Sequence, residues 1–392
     1  MSEGLADHKN DATARHVNLY RRWASSGAGL LLSGNIQVDR QHLERPGNIV
    51  LDADTDMTAL RAMAAAGTAG GSDFWLQLSH TGRQVLKVIN PEPLAPSPVA
   101  IQVPPGLGLE FGLARAMTEE EIDTVIDQFA FAASQARAAG FSGVQLHAAH
   151  GYLLSQFLSP LSNQRTDRWG GPLENRARLL LEVIAAVRAE VGDDFPIGIK
   201  LNSSDFQKGG FTNAECVALV GLLNQTSLDL LELSGGSLEQ PKVVGLVVKD
   251  EGEDAPRAST IQREAYFVEF AGAVRKVANM PVMVTGNFRS LEGMLSAFER
   301  GDVDMVGLGR PLISDPVTPA RLLAGEWTTS LTPEAAINPF HLLPWFNVQI
   351  ERLADGAEPD LTLAGEVAVA EFMAIEERAM RKLLEYRAAV ES

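Results

Sequence analysis

The chain has 392 residues, of which 45% are hydrophobic and 21% charged, as is typical of a soluble globular protein. The 33 basic and 50 acidic residues give a formal net charge of −17, which disfavours nucleic acid or an anionic membrane surface as a partner. No apolar run reaches the roughly 18 residues of a membrane-spanning helix, and the polar start MSEGLADHKN lacks a signal-peptide pattern.

Short apolar segments alternate with helical patterns along the chain. Branched aliphatic residues occur on both faces of most segments, as parallel strands covered on both sides require. The alternation therefore predicts an α/β fold with a parallel sheet. The predicted strands cover residues 29–38, 73–79, 143–148, 196–202, 228–234, 281–286 and 302–309, and the predicted helices cover roughly 11–26, 56–70, 118–140, 173–191, 212–226, 260–279 and 290–300.

Two long connections interrupt this alternation. Residues 80–117 are rich in proline and glycine and follow a strand end, so they are predicted to lie over the functional face as a lid. Residues 235–258 form a second long loop. After residue 325 the α/β pattern stops, which predicts a main domain over 1–325 and a helical extension over 326–392 that packs on this domain or on a partner subunit.

The single cysteine, Cys216, excludes disulfide scaffolds and cysteine-ligated zinc or iron–sulfur centres, and it favours a cytoplasmic protein. It lies in TNAECVALVGLL, which has the pattern of an amphipathic helix with Thr212 as N-cap and Glu215 three residues later. We expect a buried structural thiol. Thr118 and Glu121 form a second predicted capping box.

Residues 144–183 carry the most informative pattern. His147 and His150 are three residues apart, and Tyr152 follows two residues later, where an apolar strand ends and a polar loop begins. Two imidazoles and a phenol at one strand end can bind an oxygen atom and deliver a proton. A metal site would need a further ligand, and there is neither an HExxH motif nor a nearby cysteine. Structural histidines and a core tyrosine are the alternatives.

Other polar residues lie at the ends of apolar segments. Gln77 lies within DFWLQLS, where a buried amide needs partners, and Lys200 ends PIGIKLN, where an unpaired cation is costly. VTGNFRS and VGLGRPL each follow a strand and precede a helix, so their backbone amides can bind phosphate. There is no GxGxxG in a βαβ context, hence no predicted Rossmann domain. The predicted phosphate-binding residues are Gly286, Asn287, Gly309 and Arg310.

VQLHAAHGYLLSQFLSPLSNQRTDRWGGPLENRAR closely resembles the signature of the Old Yellow Enzyme family, FMN-dependent ene-reductases on a TIM (β/α)8 barrel, although the family usually has tyrosine where Trp169 stands. The resemblance extends from Ser2 to about residue 325. It implies FMN as cofactor, NADH or NADPH as a transient reductant, and ping-pong hydride transfer to a small activated alkene, an enone or a nitro compound. A homo-oligomer is an open alternative, and no metal is implied.

The resemblance assigns roles to the catalytic candidates. His147 and His150 would donate hydrogen bonds to the carbonyl or nitro oxygen, where negative charge develops. Tyr152 would protonate the alkene carbon opposite the hydride. Asn163, Arg165, Asp167 and Arg176 are expected to fasten a loop rather than to act in catalysis.

The resemblance also assigns cofactor contacts. Gln77 would bond the pyrimidine edge of the flavin, and Lys200, where the family often has arginine, would lie by N1 and the C2 carbonyl and stabilise the reduced flavin. Ser2 matches a residue near flavin O4. The two glycine turns would bind the FMN phosphate.

One departure concerns the number of strands. Seven are predicted, whereas a closed barrel of this class has eight. Met1 and Ser2 match the tail of the family's first strand, so that strand is expected to be missing or truncated, with weaker FMN binding as a consequence. An N-terminally truncated flavin-binding barrel with impaired or no turnover is therefore the alternative function. A dienoyl-CoA-type reductase would need an iron–sulfur centre, which a single cysteine excludes.

Overall fold

The computed structural model describes residues 2–102, 109–239, 270–286 and 288–391. Seven parallel strands form one curled sheet in which neighbours along the chain are hydrogen-bonded in turn. All seven predicted strands are confirmed. They are β1 (Leu30–Gln37), β2 (Asp73–Ser79), β5 (Gly143–Ala148), β6 (Ile197–Asn202), β7 (Leu230–Ser234), β8 (Val282–Thr285) and β9 (Met305–Gly307). Within the described ranges, β1 and β9 form the two edges of this sheet.

Helices follow the strands in the predicted alternation. The predicted helix over 260–279 lies partly outside the described residues, and residues 270–275 of it are helical. The predicted 173–191 helix is divided at Ala177. The remaining helices are α1 (Ala14–Ala24), α2 (Met57–Thr68), α3 (Glu119–Ala139), α4 (Leu153–Leu158), α5 (Leu173–Arg176), α6 (Arg178–Val191), α7 (Asn213–Leu223), α8 (Leu291–Glu299), α9 (Arg310–Ser314), α10 (Thr318–Leu323), α11 (Leu342–Ala354) and α12 (Gly365–Glu391).

The predicted capping boxes start two of the outer helices. At α3, the Thr118 side chain accepts from the Glu121 amide while the Glu121 side chain accepts from the Thr118 amide; Thr212 and Glu215 do the same at α7. Each box provides acceptors for amides that have no partner within the helix. Cys216, one turn further, is buried as predicted, and burial raises the pKa of its thiol to about 12.

A single tryptophan fills the amino-terminal part of the sheet interior. Trp75 projects from β2 and lies against Gly143 of β5 and Gly198 of β6, where a Cβ would approach the indole ring to 2.6 and 2.9 Å. Leu230 and Met283 complete this apolar layer. Glycine is needed at both positions because the indole occupies the space that their side chains would take.

The long connection over 80–117 is fastened to the carboxyl end of the sheet. It contains a two-stranded parallel pair, β3 (Leu94–Ala95) and β4 (Arg115–Ala116), while residues 103–108 lie outside the described ranges. Arg83 forms an ion pair of 2.7 Å with Glu239 in the other long loop. Of the predicted 235–258 loop, the structure describes only 235–239.

The carboxyl-terminal helices pack on the main domain. Leu383 of α12 joins a buried cluster with residues of the loops after β1 and β2, among them Leu43 and Val85. Arg45 donates to Glu376 of the same helix. No helix in the described part of the chain is long and apolar enough to cross a membrane.

Candidate active site

Polar side chains form two consecutive layers above the tryptophan. Strand register aligns Gln77 with Gln145 in one layer. In the next layer His147, Lys200 and Glu232 are aligned on three neighbouring strands. We call these five residues the interior polar group. Since alternate residues of a strand face the same side, they point into the sheet interior together.

His147 presents an unpaired donor. The Ala149 amide lies 3.3 Å from Nδ1, so Nδ1 accepts and the proton of a neutral ring is on Nε2. Nε2 is buried and has no hydrogen-bond partner among the described residues. Burial, and then His150, lowers the pKa of His147 well below its ordinary value, so the ring is neutral at pH 7.

His150 lies beside His147 but already has a partner. Its ring centroid is 5.1 Å from that of His147, and its Nε2 is 2.7 Å from Ser234 Oγ. The residue adopts a φ of 61°, a left-handed conformation in which its amide donates to Asn202 Oδ1 at 3.1 Å. Burial, then the Lys200 charge, lowers the pKa of His150, which is therefore also neutral.

Tyr152 lies against both an imidazole and an acidic group. Its ring centroid is 4.8 Å from that of His147, and its hydroxyl oxygen accepts from Asn35 Nδ2 at 3.3 Å. The same Asn35 nitrogen donates to Glu44 at 2.8 Å. Burial, and then Glu44, raises the pKa of Tyr152 well above its ordinary value. The phenol is thus held protonated, as a proton donor must be before it acts.

The other members of the interior polar group are joined in a chain. Lys200 Nζ lies 2.7 Å from Glu232 Oε1. Gln145 Nε2 donates to Glu232 Oε2 at 2.7 Å, and Gln77 Nε2 donates to Gln145 Oε1 at 2.6 Å. Gln77 Oε1 is buried and has no partner in the described ranges. Lys200 therefore lies in the same layer of the sheet interior as His147, and Gln77 lies in the layer next to it.

The glycine turns lie together at the carboxyl ends of β8 and β9. Thr285 is aligned with Gly307, so Gly286 and Gly309 follow on neighbouring strands. Gly309 is the N-cap of α9, and a Cβ at this position would meet nothing within 4 Å. Arg310 opens that helix. Asn287 lies outside the described residues.

Ser2 is joined to the site through asparagines. Its hydroxyl accepts from Asn48 Nδ2 at 3.1 Å, and the same nitrogen donates to Asn35 Oδ1 at 3.2 Å. Because Asn35 also contacts Tyr152, Ser2 lies two hydrogen bonds away from the phenol's partner.

The chain matches the NADH:flavin oxidoreductase / NADH oxidase family model over residues 2–327. The chain belongs to this family. It is 38% identical over 349 residues to the NADH-dependent flavin oxidoreductase iliE of Neonectria sp. (strain DH2), with 85% of this chain and 45% of that protein covered. It is 36% identical to the NADH-dependent flavin oxidoreductase nadA of Aspergillus parasiticus, with 81% and 70% covered. The chain thus spans about half the length of the first relative.

A solved structure supports the same assignment. The old yellow enzyme homologue from Zymomonas mobilis is 25% identical, with a TM-score of 0.68 and coverage of 84% of this chain and 88% of that one. The predicted Old Yellow Enzyme resemblance and the TIM-barrel class are confirmed. Family membership implies use of FMN and of a nicotinamide.

In this member of the family, the signature loop is fastened as predicted. Asn163 Nδ2 donates to the carbonyls of Phe157 and Trp169 at 2.7 and 2.8 Å. Arg165 pairs with Asp167 and donates to the Met117 carbonyl at 2.7 Å. Arg176 donates to the Leu158 carbonyl and to Glu215. We call Asn163, Arg165, Asp167 and Arg176 the loop network.

A cluster of Asp39, His42 and His80 has ligand types that suit a metal but is arranged for hydrogen bonds. His42 Nδ1 lies 2.8 Å from Asp39, while His42 Nε2 accepts from the Leu94 amide at 2.9 Å. His80 Nδ1 likewise accepts from the Gly82 amide at 3.0 Å. If a metal were bound by His42 Nδ1 and His80 Nε2, the other nitrogen of each ring would carry a proton and donate. In this structure those other nitrogens, His42 Nε2 and His80 Nδ1, instead accept from backbone amides. The cluster therefore fastens the loops after β1 and β2.

Several residues of the site were not predicted from the sequence. Glu232 lies in LDLLELS, where an acidic residue inside an apolar strand is as unusual as the basic Lys200 in PIGIKLN and is a comparable signal of a buried polar site. Gln145 within GVQLHA gives a similar but weaker signal. Asn35 and Glu44 have no local signal, because their contact with Tyr152 depends on packing between distant segments.

Proposed function

We propose that this flavin oxidoreductase reduces activated alkenes, enones or nitroalkenes, with FMN as cofactor and NADH or NADPH as reductant. The observation that carries the proposal is the arrangement around His147. A neutral imidazole with an unpaired, buried Nε2–H lies 4.8 Å, centroid to centroid, from a phenol that burial holds protonated. The uncharged His147 Nε2–H suits a substrate oxygen that becomes negative during the reaction. The Tyr152 phenol, at the same strand end, suits a substrate carbon that must be protonated.

The residues present fit a flavin. Gln77 Oε1 is a buried acceptor without a partner in the described part of the chain, so it can receive an N–H of the pyrimidine edge. Lys200 provides a cation in the next layer of the interior. The turns at Gly286 and Gly309 would hold the phosphate, and Ser2 would lie toward O4. Held by these residues, FMN would supply the hydride-transfer chemistry that links oxidation of the nicotinamide to reduction of the alkene.

The chain's own residues would do the remaining work. His147 would donate Nε2–H to the carbonyl or nitro oxygen. His150, now bonded to Ser234, would exchange that partner for the substrate oxygen or hold the neighbouring ring in place. Tyr152 would deliver its proton to the alkene carbon. The 80–117 connection would act as a lid that excludes water, and the 326–392 extension would support it from the outside. Reductant and alkene would occupy the same space in turn, which gives a ping-pong cycle.

The double variant His147→Ala/His150→Ala tests this proposal. We expect the reduction of an enone and the binding of a phenol, which imitates the enolate-like state, to be lost. FMN should remain bound, because its contacts come from other residues. Phenol affinity is measured from the long-wavelength absorbance of the flavin complex. The matched control is His8→Ala, which removes an exposed histidine.

Two outcomes would overturn the assignment. Unchanged phenol affinity in the double variant would show that the histidines do not hold the substrate oxygen. A wild-type protein that stays colourless after soaking in FMN would remove the flavin chemistry altogether and favour a barrel without turnover.

A further inference from the structure

We infer that Glu232 is a positioning residue for the flavin: it offsets the charge of Lys200 and fixes the orientation of the Gln77 amide, and it thereby sets the reduction potential of the bound cofactor. This inference rests on the proposed function, because it concerns the same interior site. It assigns a role to a fully buried carboxylate that the proposed reaction does not otherwise use.

Glu232 is the acceptor on which the interior contacts of Lys200, Gln145 and Gln77 converge: Lys200 and Gln145 contact it directly, and Gln77 contacts it through Gln145. Both of its oxygens are engaged, one by the Lys200 ammonium at 2.7 Å and one by the Gln145 amide nitrogen at 2.7 Å. Gln145 and Glu232 are on β5 and β7, with β6 between them. The contact therefore crosses an intervening strand, whose residue aligned with Gln145 is Gly198.

The carboxylate determines which way both amides point. An ionised carboxylate only accepts hydrogen bonds, so Gln145 must turn its NH2 group toward Glu232 and its oxygen toward Gln77. Gln77 must then turn its own NH2 group toward Gln145 at 2.6 Å. The remaining atom, Gln77 Oε1, is left as a buried acceptor. Glu232 thus makes Gln77 present an acceptor to the ligand rather than a donor.

The ion pair also changes what Lys200 contributes. An isolated buried ammonium costs desolvation free energy and creates a strong positive potential around it. In an ion pair of 2.7 Å, the carboxylate charge largely cancels that potential for groups farther away. A cation beside the flavin favours its reduced, anionic form. Glu232 should therefore keep the potential lower than Lys200 alone would set it, while the ammonium remains held in place.

The principal test is Glu232→Gln, with the reduction potential of bound FMN and the dissociation constants of oxidised and reduced FMN as measurements. We expect a more positive potential, since the Lys200 charge is no longer offset. We also expect oxidised FMN to bind about tenfold more weakly, the effect of one hydrogen bond, because a neutral amide at 232 allows the Gln145 and Gln77 amides to turn over. Lys200→Met should shift the potential in the opposite direction.

Two further variants separate charge from folding. Glu232→Asp retains the charge and should keep a potential near that of the wild type. Lys200→Met/Glu232→Gln removes both charges, so no unpaired buried ion remains to prevent folding. Its FMN reduction potential should lie above that of Lys200→Met, because Lys200→Met leaves the negative charge of Glu232 without its cation. Glu215→Gln, which removes a carboxylate from Arg176 in the loop network, is the matched control and should leave the potential unchanged.

The outcomes distinguish this inference from the proposed function. If the wild-type protein binds no FMN, the proposed function fails. If FMN is bound but Glu232→Gln weakens oxidised and reduced FMN equally, the potential does not move and Glu232 is only structural. An unchanged potential in Lys200→Met/Glu232→Gln relative to Lys200→Met would overturn the inference in the same way.

Discussion

The interior polar group and the loop network are both built mainly from buried or half-buried polar side chains, with the exposed Asp167 as the exception. They differ in which side-chain atoms remain without a hydrogen-bond partner in the described ranges. In the loop network, Asn163, Arg165 and Arg176 donate to backbone carbonyls and carboxylates of the protein itself. In the interior polar group, Gln77 Oε1 and His147 Nε2 are buried without partners in the described ranges. Both regions use polar side chains of similar types, so residue type alone does not distinguish them.

The difference teaches how a binding site can be recognised within a polar interior. A buried polar group costs free energy unless it is hydrogen-bonded, so a folded protein normally pairs such groups internally. Buried polar atoms that lack a hydrogen-bond partner and face the same interior are instead explained by a ligand that forms the missing hydrogen bonds. The loop network stabilises the scaffold, and the interior polar group exchanges some stability for binding.

The largest expected effect is on catalysis in the interior. Tyr152→Phe keeps the ring that packs on His147 and removes the acid. We expect the oxidative half-reaction with an enone to slow by about 10²–10⁴-fold, while flavin reduction by NAD(P)H stays nearly unchanged. Stopped-flow absorbance measures the two half-reactions separately. Equal losses in both would instead indicate that the ring's packing was damaged.

Acidification should act on the scaffold through buried neutral histidines. Burial lowers the pKa of His16 and of His80 from 6.5 to about 4. Below pH 6.5 the unfolded chain binds protons that the folded chain does not, so stability falls as the pH drops from about 6.5 toward 4. At about 1.4 kcal/mol per pKa unit, each histidine contributes a loss on the order of 3 kcal/mol.

Urea unfolding at pH 7.5 and pH 4.5 would measure this loss. His80→Asn provides an acceptor in place of Nδ1 for the Gly82 amide and should be less sensitive to acid. Equal acid sensitivity in that variant and in the wild type would exclude His80 as one of the responsible groups.

A smaller loss of stability is expected from the loop network. Asn163→Ala leaves the carbonyls of Phe157 and Trp169 without the donor they share. We expect the free energy of unfolding to fall by about 2 kcal/mol, because buried acceptors lose their partner. FMN affinity, measured by fluorescence quenching of the flavin, should be unaffected. A large loss of FMN affinity would mean that the two regions are not separate.

The smallest effect should come from an unpaired acceptor. Gln77→Met removes Oε1, which contributes nothing within the described protein, and leaves only Gln145 Oε1 without its donor. The free energy of unfolding of the FMN-free protein should fall by about 1 kcal/mol or less, whereas the FMN dissociation constant should rise about tenfold. A stability loss as large as that of Asn163→Ala would remove the distinction between the two regions.

The sequence by itself determined the strands, the alternation with helices and the family. Apolar segments such as GVQLHA and LDLLELS, bounded by turns, locate strands because burial on both faces requires continuous apolar residues. Capping residues such as Thr118 and Thr212 locate helix starts, because their partners lie only three residues away. The HAAHGY segment and the loop network follow from a local pattern in the same way.

Only the tertiary structure decided which polar residues meet. The pairing of Lys200 with Glu232 depends on the register of two strands, and the contact of Gln145 with Glu232 joins side chains of β5 and β7 across the intervening β6. The contact of Tyr152 with Asn35 joins residues 117 positions apart. Hydrogen bonds and ion pairs act over about 3 Å, so their partners are determined by how strands that are distant in the sequence pack together, and no pattern along the chain determines them.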